Sequence, residues 1–167
     1  MSKRIILMLL ILVNLLLVSS CGKNEGILVS EDKRADARME QIVSAIKDKD
    51  NEALKSLFSK KALDEADDFV GGADSLFSFI QGDIVSWDRD GFASDESMSG
   101  GKRSWMIRFG FTVKTDKDVY QFFIIDYNVD TINTDNQGVY MLELIDNYGK
   151  RKLESWQDRM RAGIYIH

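Results

Sequence analysis

Trp105-Met106-Ile107-Arg108-Phe109-Gly110-Phe111-Thr112-Val113-Lys114 decides the fold of this chain. Trp105, Ile107, Phe109, Phe111 and Val113 occupy every second position, and Met106, Arg108, Gly110, Thr112 and Lys114 fill the others. Side chains alternate across a strand, so this stretch reads as a half-buried strand with one apolar face, and that face needs a cover. Asp116-Lys117-Asp118 reads as a tight turn. Val119 to Val129 is more uniformly apolar and belongs in the middle of a sheet. Thr131 to Gly138 turns the chain, Val139 to Ile145 is a further strand, and Ala162 to Ile166 is a short final strand or an extended tail. Ahead of the deciding stretch, Ile84 to Trp87 reads as the first strand and Gly91 to Gly101 as a polar loop.

The cover comes from the first half. From near Glu31, the residues Ala35, Met39, Ile42, Val43 and Ile46 repeat at spacings of 3 and 4, the stripe of an amphipathic helix. Lys47-Asp48-Lys49-Asp50 ends that stripe. Asp50 or Asn51 caps a second helix carrying Ala53, Leu54, Leu57 and Phe58. Ser59 caps a third through Leu63, Ala66 and Phe69, Gly71-Gly72 breaks the run, and Leu76, Phe77 and Ile80 sit on a short helix that stops at Gly82. Helices first and strands afterwards predict an α+β domain, with helices packed on one face of a curved antiparallel sheet.

The N-terminal segment reads as an address. Lys3 and Arg4 precede an apolar run of 14 residues, Ile5 to Val18, interrupted only by Asn14. The run is short for a bilayer and is followed by Val18-Ser19-Ser20-Cys21, a cleavage-like site ending in a thiol. This is the pattern of a bacterial lipobox. It divides the chain into a signal peptide over 1–20, a lipidated tether over 21–30 with Gly22 and Gly26, and one domain over 31–167. Two acyl chains on Cys21 anchor a protein stably, since each buried methylene contributes about 0.8 kcal/mol. The expected location is the extracytoplasmic face of the cell membrane, with the membrane itself as one partner. Cys21 is the single cysteine, so its acylation leaves no thiol for a disulfide, a metal or a nucleophile.

Composition narrows the function further. Removing Lys3 and Arg4 from the 22 basic residues leaves 20 against 27 acidic ones, a net charge of −7. An acidic body argues against nucleic acid as a partner. The one histidine is His167, which argues against positioned-imidazole catalysis and histidine-based zinc sites. Neither a phosphate-binding G-x-x-x-x-G-K-[ST] loop nor a dinucleotide-binding G-x-G-x-x-G opens a helix. No cofactor is expected. Asp130, Asn133, Asp135 and Asn136 form either a calcium loop or a polar hairpin loop; the spacing and closing glutamate of an EF-hand are missing, which favours the hairpin.

A tethered helical front followed by long strands resembles the NTF2-like (cystatin-like) α+β cone. More particular are Ala53-Leu54-Lys55-Ser56-Leu57-Phe58-Ser59, Ala62-Leu63-Asp64-Glu65-Ala66, Phe79-Ile80-Gln81-Gly82, Ser86-Trp87-Asp88-Arg89-Asp90-Gly91 and Asp126-Tyr127-Asn128-Val129-Asp130-Thr131-Ile132-Asn133. Trp156-Gln157-Asp158 and Ala162-Gly163-Ile164-Tyr165 complete the set. Together they resemble an uncharacterised family of lipoproteins from Gram-positive bacteria, domain of unknown function 5104, across residues 31–166. The resemblance implies location and a cone-like fold, and no catalytic residues.

In a cone, the concave sheet face is the default ligand site. Asp126 interrupts Phe122-Phe123-Ile124-Ile125 and by alternation shares a face with Tyr120, Phe122, Ile124 and Asn128. It either serves a pocket, where burial would raise its pKa toward a base's range, or pairs with a residue such as Arg108, or faces solvent. Trp87 floors a pocket or belongs to the core. Trp156 closes the mouth or fastens the tail. Tyr127 and Tyr165 suit a rim, and Arg89 and Arg108 meet an anion or form ion pairs. Three functions follow: a non-catalytic module binding a small molecule or a protein, an enzyme using Asp126 for proton transfer or dehydration, and a structural assembly protein with a plugged cone. An open cavity holding Asp126 separates the first two from the third. Replacing Cys21 by Ala should abolish processing at the Ser20–Cys21 bond and release the protein from the membrane fraction. A Cys21→Ala variant that stays membrane-bound and is cut at the same bond refutes the lipobox.

Overall fold

The structure is a computed structural model, and it describes residues 31–146 and 156–167. Cys21, with the signal and tether segments, lies outside the described residues. The apolar stripe forms helix α1 over Glu31–Asp48, where Ala35, Met39, Ile42, Val43, Ala45 and Ile46 are buried. Lys49 takes the left-handed conformation (φ 50°) that usually selects glycine after a helix. Two bonds from the following amides, Lys49 N to Ile46 O at 3.2 Å and Asp50 N to Ala45 O at 2.9 Å, close α1 there. Asp50 then caps α2 (Asn51–Leu57) by accepting from Ala53 N. Fully buried Ser59 caps α3 (Lys60–Glu65) through Ala62 N, and its own amide donates to Val139 O at 2.9 Å.

The third helix is shorter than its pattern suggests, and Gly71-Gly72 does not break a helix. Both glycines lie in the first turn of α4 (Phe69–Phe79), capped by Asp68. A Cβ at Gly71 would fall 2.1 Å from the capping Asp68 carboxylate, and one at Gly72 would fall 3.1 Å from Ile164 O. Close approach, not conformational freedom, accounts for the pair.

The strands are β1 (Ile84–Ser99), β2 (Lys102–Thr115), β3 (Val119–Asp130), β4 (Gly138–Asp146) and β5 (Gly163–Ile166), with a one-turn helix α5 over Trp156–Arg159 before β5. Their spatial order is β1-β2-β3-β4-β5. Two expectations are corrected here. Gly91–Ser99 is strand, so β1 and β2 form one long hairpin that turns at Gly100-Gly101, both with positive φ (57° and 75°) as tight hairpin turns require. The sheet is also mixed, because β5 runs parallel to β4.

Helices on the concave face of this sheet form an α+β arrangement consistent with the expected cone. The register read from the sequence holds: Trp105, Ile107, Phe109, Phe111 and Val113 are all buried, and they join the α1 stripe in one core. The Tyr120 hydroxyl fastens α4 to the sheet by accepting from Gln81 N at 2.8 Å. Among the described residues no helix is long and apolar enough to cross a membrane. Phe109 is 2% exposed, so truncating it to Ala should cost about 3–5 kcal/mol in chemical denaturation. A loss below about 1 kcal/mol would contradict this packing.

Candidate functional site

The N-terminal half of α1 crosses β2 and β3 with a polar edge. Arg34, Arg38 and Gln41 lie at i, i+4 and i+7 beside the apolar stripe, so one helix face points all three toward the sheet. Asp126 and Asn128 face them from β3, with Ile107 and Phe109 of β2 alongside. These residues and Ala37 line a recess of about 160 Å³.

The polar groups are only partly matched. Arg38 Nε donates to Asp126 Oδ2 at 2.6 Å and Nη1 to Gln41 Oε1 at 3.1 Å. Arg34 Nη1 donates to Asn128 Oδ1 at 3.0 Å, and its guanidinium lies over the Trp105 ring, 5.5 Å from the centroid. Asp126 Oδ1, Asn128 Nδ2 and Arg34 Nε are buried and have no hydrogen-bond partner among the described residues. Such atoms are costly, about 1–3 kcal/mol each, so three in one small recess call for an explanation. Burial pushes the Asp126 carboxyl above its ordinary range, while the charge and hydrogen bond of Arg38 work in the opposite direction.

Two larger recesses lack this chemistry. One, about 360 Å³, lies between the end of α1, α4 and the start of β1; the other, about 420 Å³, lies between α4 and β5. Among the described residues, none that lines either of them holds a buried unpaired side-chain atom.

The residues singled out in the sequence separate into distinct environments. Asp126 is in the recess, but its cation is Arg38, not Arg108. Arg108 instead meets Asp95 across the β1–β2 hairpin. Trp87 is half-buried and packs against the core: its ring meets Phe111 edge-on at 5.3 Å, outside the recess. Tyr127 does not line the recess either, and its ring meets Tyr140 at 6.2 Å. Trp156 opens α5, and its side chain lies outside the described residues. Arg89 forms ion pairs with Asp32 and Asp36 of α1, at 3.2 and 2.7 Å. Sequence reasoning missed Arg34 and Arg38; the available signal was their i, i+4 spacing beside the apolar stripe.

The calcium alternative meets a chemical obstacle. Asp130 accepts from Ile132 N, Asn133 N, Asn136 Nδ2 and Ser104 Oγ at 2.7–3.1 Å. Burial opposes its charge, yet these donors hold its carboxyl below the ordinary range. The loop is an Asx-type turn around a saturated carboxylate. No group of three or more metal-binding side chains occurs among the described residues.

A family model matches residues 41–147, from the middle of α1 to just past β4. The chain belongs to the family Domain of unknown function (DUF5104). Gln41, Ile107, Phe109, Asp126 and Asn128 lie within the matched span, and Arg34 and Arg38 precede it. No curated protein matches the chain.

The Arg38–Asp126 pair gives a direct test of this geometry. Arg38→Met should destabilise the protein by about 3–5 kcal/mol, because it leaves a buried carboxylate uncompensated. Adding Asp126→Asn should restore most of that loss. Equal destabilisation of the single and double variants in urea melts would show that the two side chains are not coupled.

Proposed function

We propose that this DUF5104 protein is a lipoprotein anchored through Cys21 at the extracytoplasmic face of a Gram-positive cell membrane. Its NTF2-like domain is a non-catalytic module that binds a small polar molecule between α1 and the concave sheet face. The single observation that carries the binding reading is a recess lined by Arg34, Arg38, Asp126 and Asn128, three of which hold a buried polar atom with no partner among the described residues. A site that serves only packing gains stability when such atoms find partners or are replaced by apolar groups. A ligand that draws these side chains into the recess supplies the partners and accounts for their retention. The lipobox supports the location, and the order of helices and strands supports the cone.

Proton transfer by Asp126 is the second reading. Its carboxyl is raised by burial and one oxygen is unbound, the condition of a general base. The short bond from Arg38 weighs against it, since a paired carboxylate is a weaker base. The open recess weighs against a plugged assembly role.

Full-length protein extracted from its own membrane and examined by native mass spectrometry should carry a small molecule released on denaturation. Ala37 is exposed at the recess, so Ala37→Trp should close it without disturbing the core. The variant should lose the molecule and keep its melting temperature. Wild-type protein carrying nothing, or an Ala37→Trp variant carrying the same molecule, refutes the binding reading.

A further inference from the structure

Resting on that binding reading, we infer that the recess takes a short-chain monocarboxylate, held through its carboxylate by Arg34 and Arg38. A ligand first meets the polar groups that are accessible and unpaired, and among the described residues these are donors. Arg34 spends Nη1 on Asn128, and Arg38 spends Nε on Asp126 and Nη1 on Gln41. The Nη2 group of each arginine has no partner and is not closed off by the fold. Gln41 accepts from Arg38 through Oε1, which leaves its exposed amide nitrogen as a third open donor. The acceptors differ. Asp126 Oδ2, Asn128 Oδ1 and Gln41 Oε1 are each bonded already, and Asp126 Oδ1 is closed.

Charge points the same way. Two guanidiniums line the recess against one carboxylate, an excess of one positive charge. Asp32 and Asp36 of the same helix do not offset it, because Arg89 on β1 holds them at 3.2 and 2.7 Å. Arg34 and Arg38 are one turn apart, with Cβ atoms about 5–6 Å from each other, so one oxyanion can engage both. The Asn128 carbonyl and the Trp105 ring hold the Arg34 guanidinium in place. Hydrogen bonds from guanidinium to carboxylate are among the strong ones. A single excess charge suits a monoanion, whereas a dianion would leave net negative charge against apolar walls. Size and floor set the rest. At about 160 Å³ the recess is below the roughly 300–1,000 Å³ of ordinary drug-sized sites. Buried Ile107 and Phe109, with the Ala37 methyl, suit a short apolar body and not a nucleotide or a disaccharide.

The test is calorimetric titration of the full-length protein in detergent, with butyrate as the probe. Butyramide keeps the shape without the charge, butylammonium carries the opposite charge, and inorganic phosphate is an oxyanion without an apolar body. Butyrate should bind at one site, weakly, as befits a ligand of so few atoms. Each of the other three should bind at least about tenfold more weakly, through loss of a charged hydrogen bond or of the apolar contact. Butyrate affinity should fall as salt is raised, since both guanidiniums are partly exposed. Arg34→Gln should weaken butyrate by about tenfold or more, and Arg34→Lys, which keeps the charge and loses the fork, should fall between it and the wild type. Butyrate that does not bind, any of the three comparison compounds binding as well as butyrate, or either folded variant binding it like the wild type overturns the inference. If butyrate fails while protein from its own membrane still releases another small molecule that Ala37→Trp excludes, the ligand class is wrong and the recess reading stands. If butyrate fails and the protein carries nothing, both fall.

Discussion

Everything in this domain depends on hiding the concave face of β2. Five large apolar side chains, Trp105 to Val113, stand on one side of a single strand and are all buried. Burying each contributes about 1.5–3 kcal/mol, more than any ion pair in the structure is expected to add. The helix that provides the cover must therefore present a continuous apolar stripe, and α1 does so from Ala35 to Ile46. Its crossing is then fixed by charge. Arg89 on β1 holds Asp32 and Asp36, and Arg38 holds Asp126. Hydrophobic burial supplies the stability and the ion pairs supply the position, since a buried pair comes close to breaking even against an apolar replacement.

What the sequence made legible follows this division. The α1 stripe and the β2 register were readable because each has one wet and one dry face, so hydrophobicity repeats with the period of the element. Gly91–Ser99 was not readable as strand. Its side chains are exposed on both faces, so no apolar alternation marks it, and its partner strand alone makes it extended. Gly71-Gly72 misled for another reason. Local composition says turn, but Gly71 makes room for its own capping Asp68, and the contact that selects glycine at 72 comes from Ile164, far along the chain. The parallel β5, four residues long, has too little pattern to state a direction.

The candidate site was half legible. A carboxylate inside the most apolar strand is a local anomaly, and Asp126 is visible without any structure. Its partner is not, because Arg38 lies 88 positions earlier and nothing in the chain marks the two as neighbours. Arg108 was the nearer guess because it belongs to the adjacent strand. Alternation rules it out: Arg108 lies between Ile107 and Phe109 and so points away from the face they share with Asp126.

Among the described residues three carboxylates are buried, and Asp126 is satisfied differently from the other two. Asp130 accepts from four donors. Glu143 has Arg159 on one oxygen at 2.9 Å and His167 Nε2 3.2 Å from the other. Asp126 is bound on one oxygen alone. A chain that saturates two buried carboxylates, one of them on the same strand only four residues away, has the local chemistry to saturate a third. Instead, Asn128 directs its carbonyl to Arg34 and leaves its amide nitrogen without a partner among the described residues. Exposed Ala37 is the smallest of the four α1 side chains that line the recess. The unpaired donors, the unpaired acceptor and the short Ala37 side chain occur together on the residues of one recess, and the proposed binding reading rests on that concurrence.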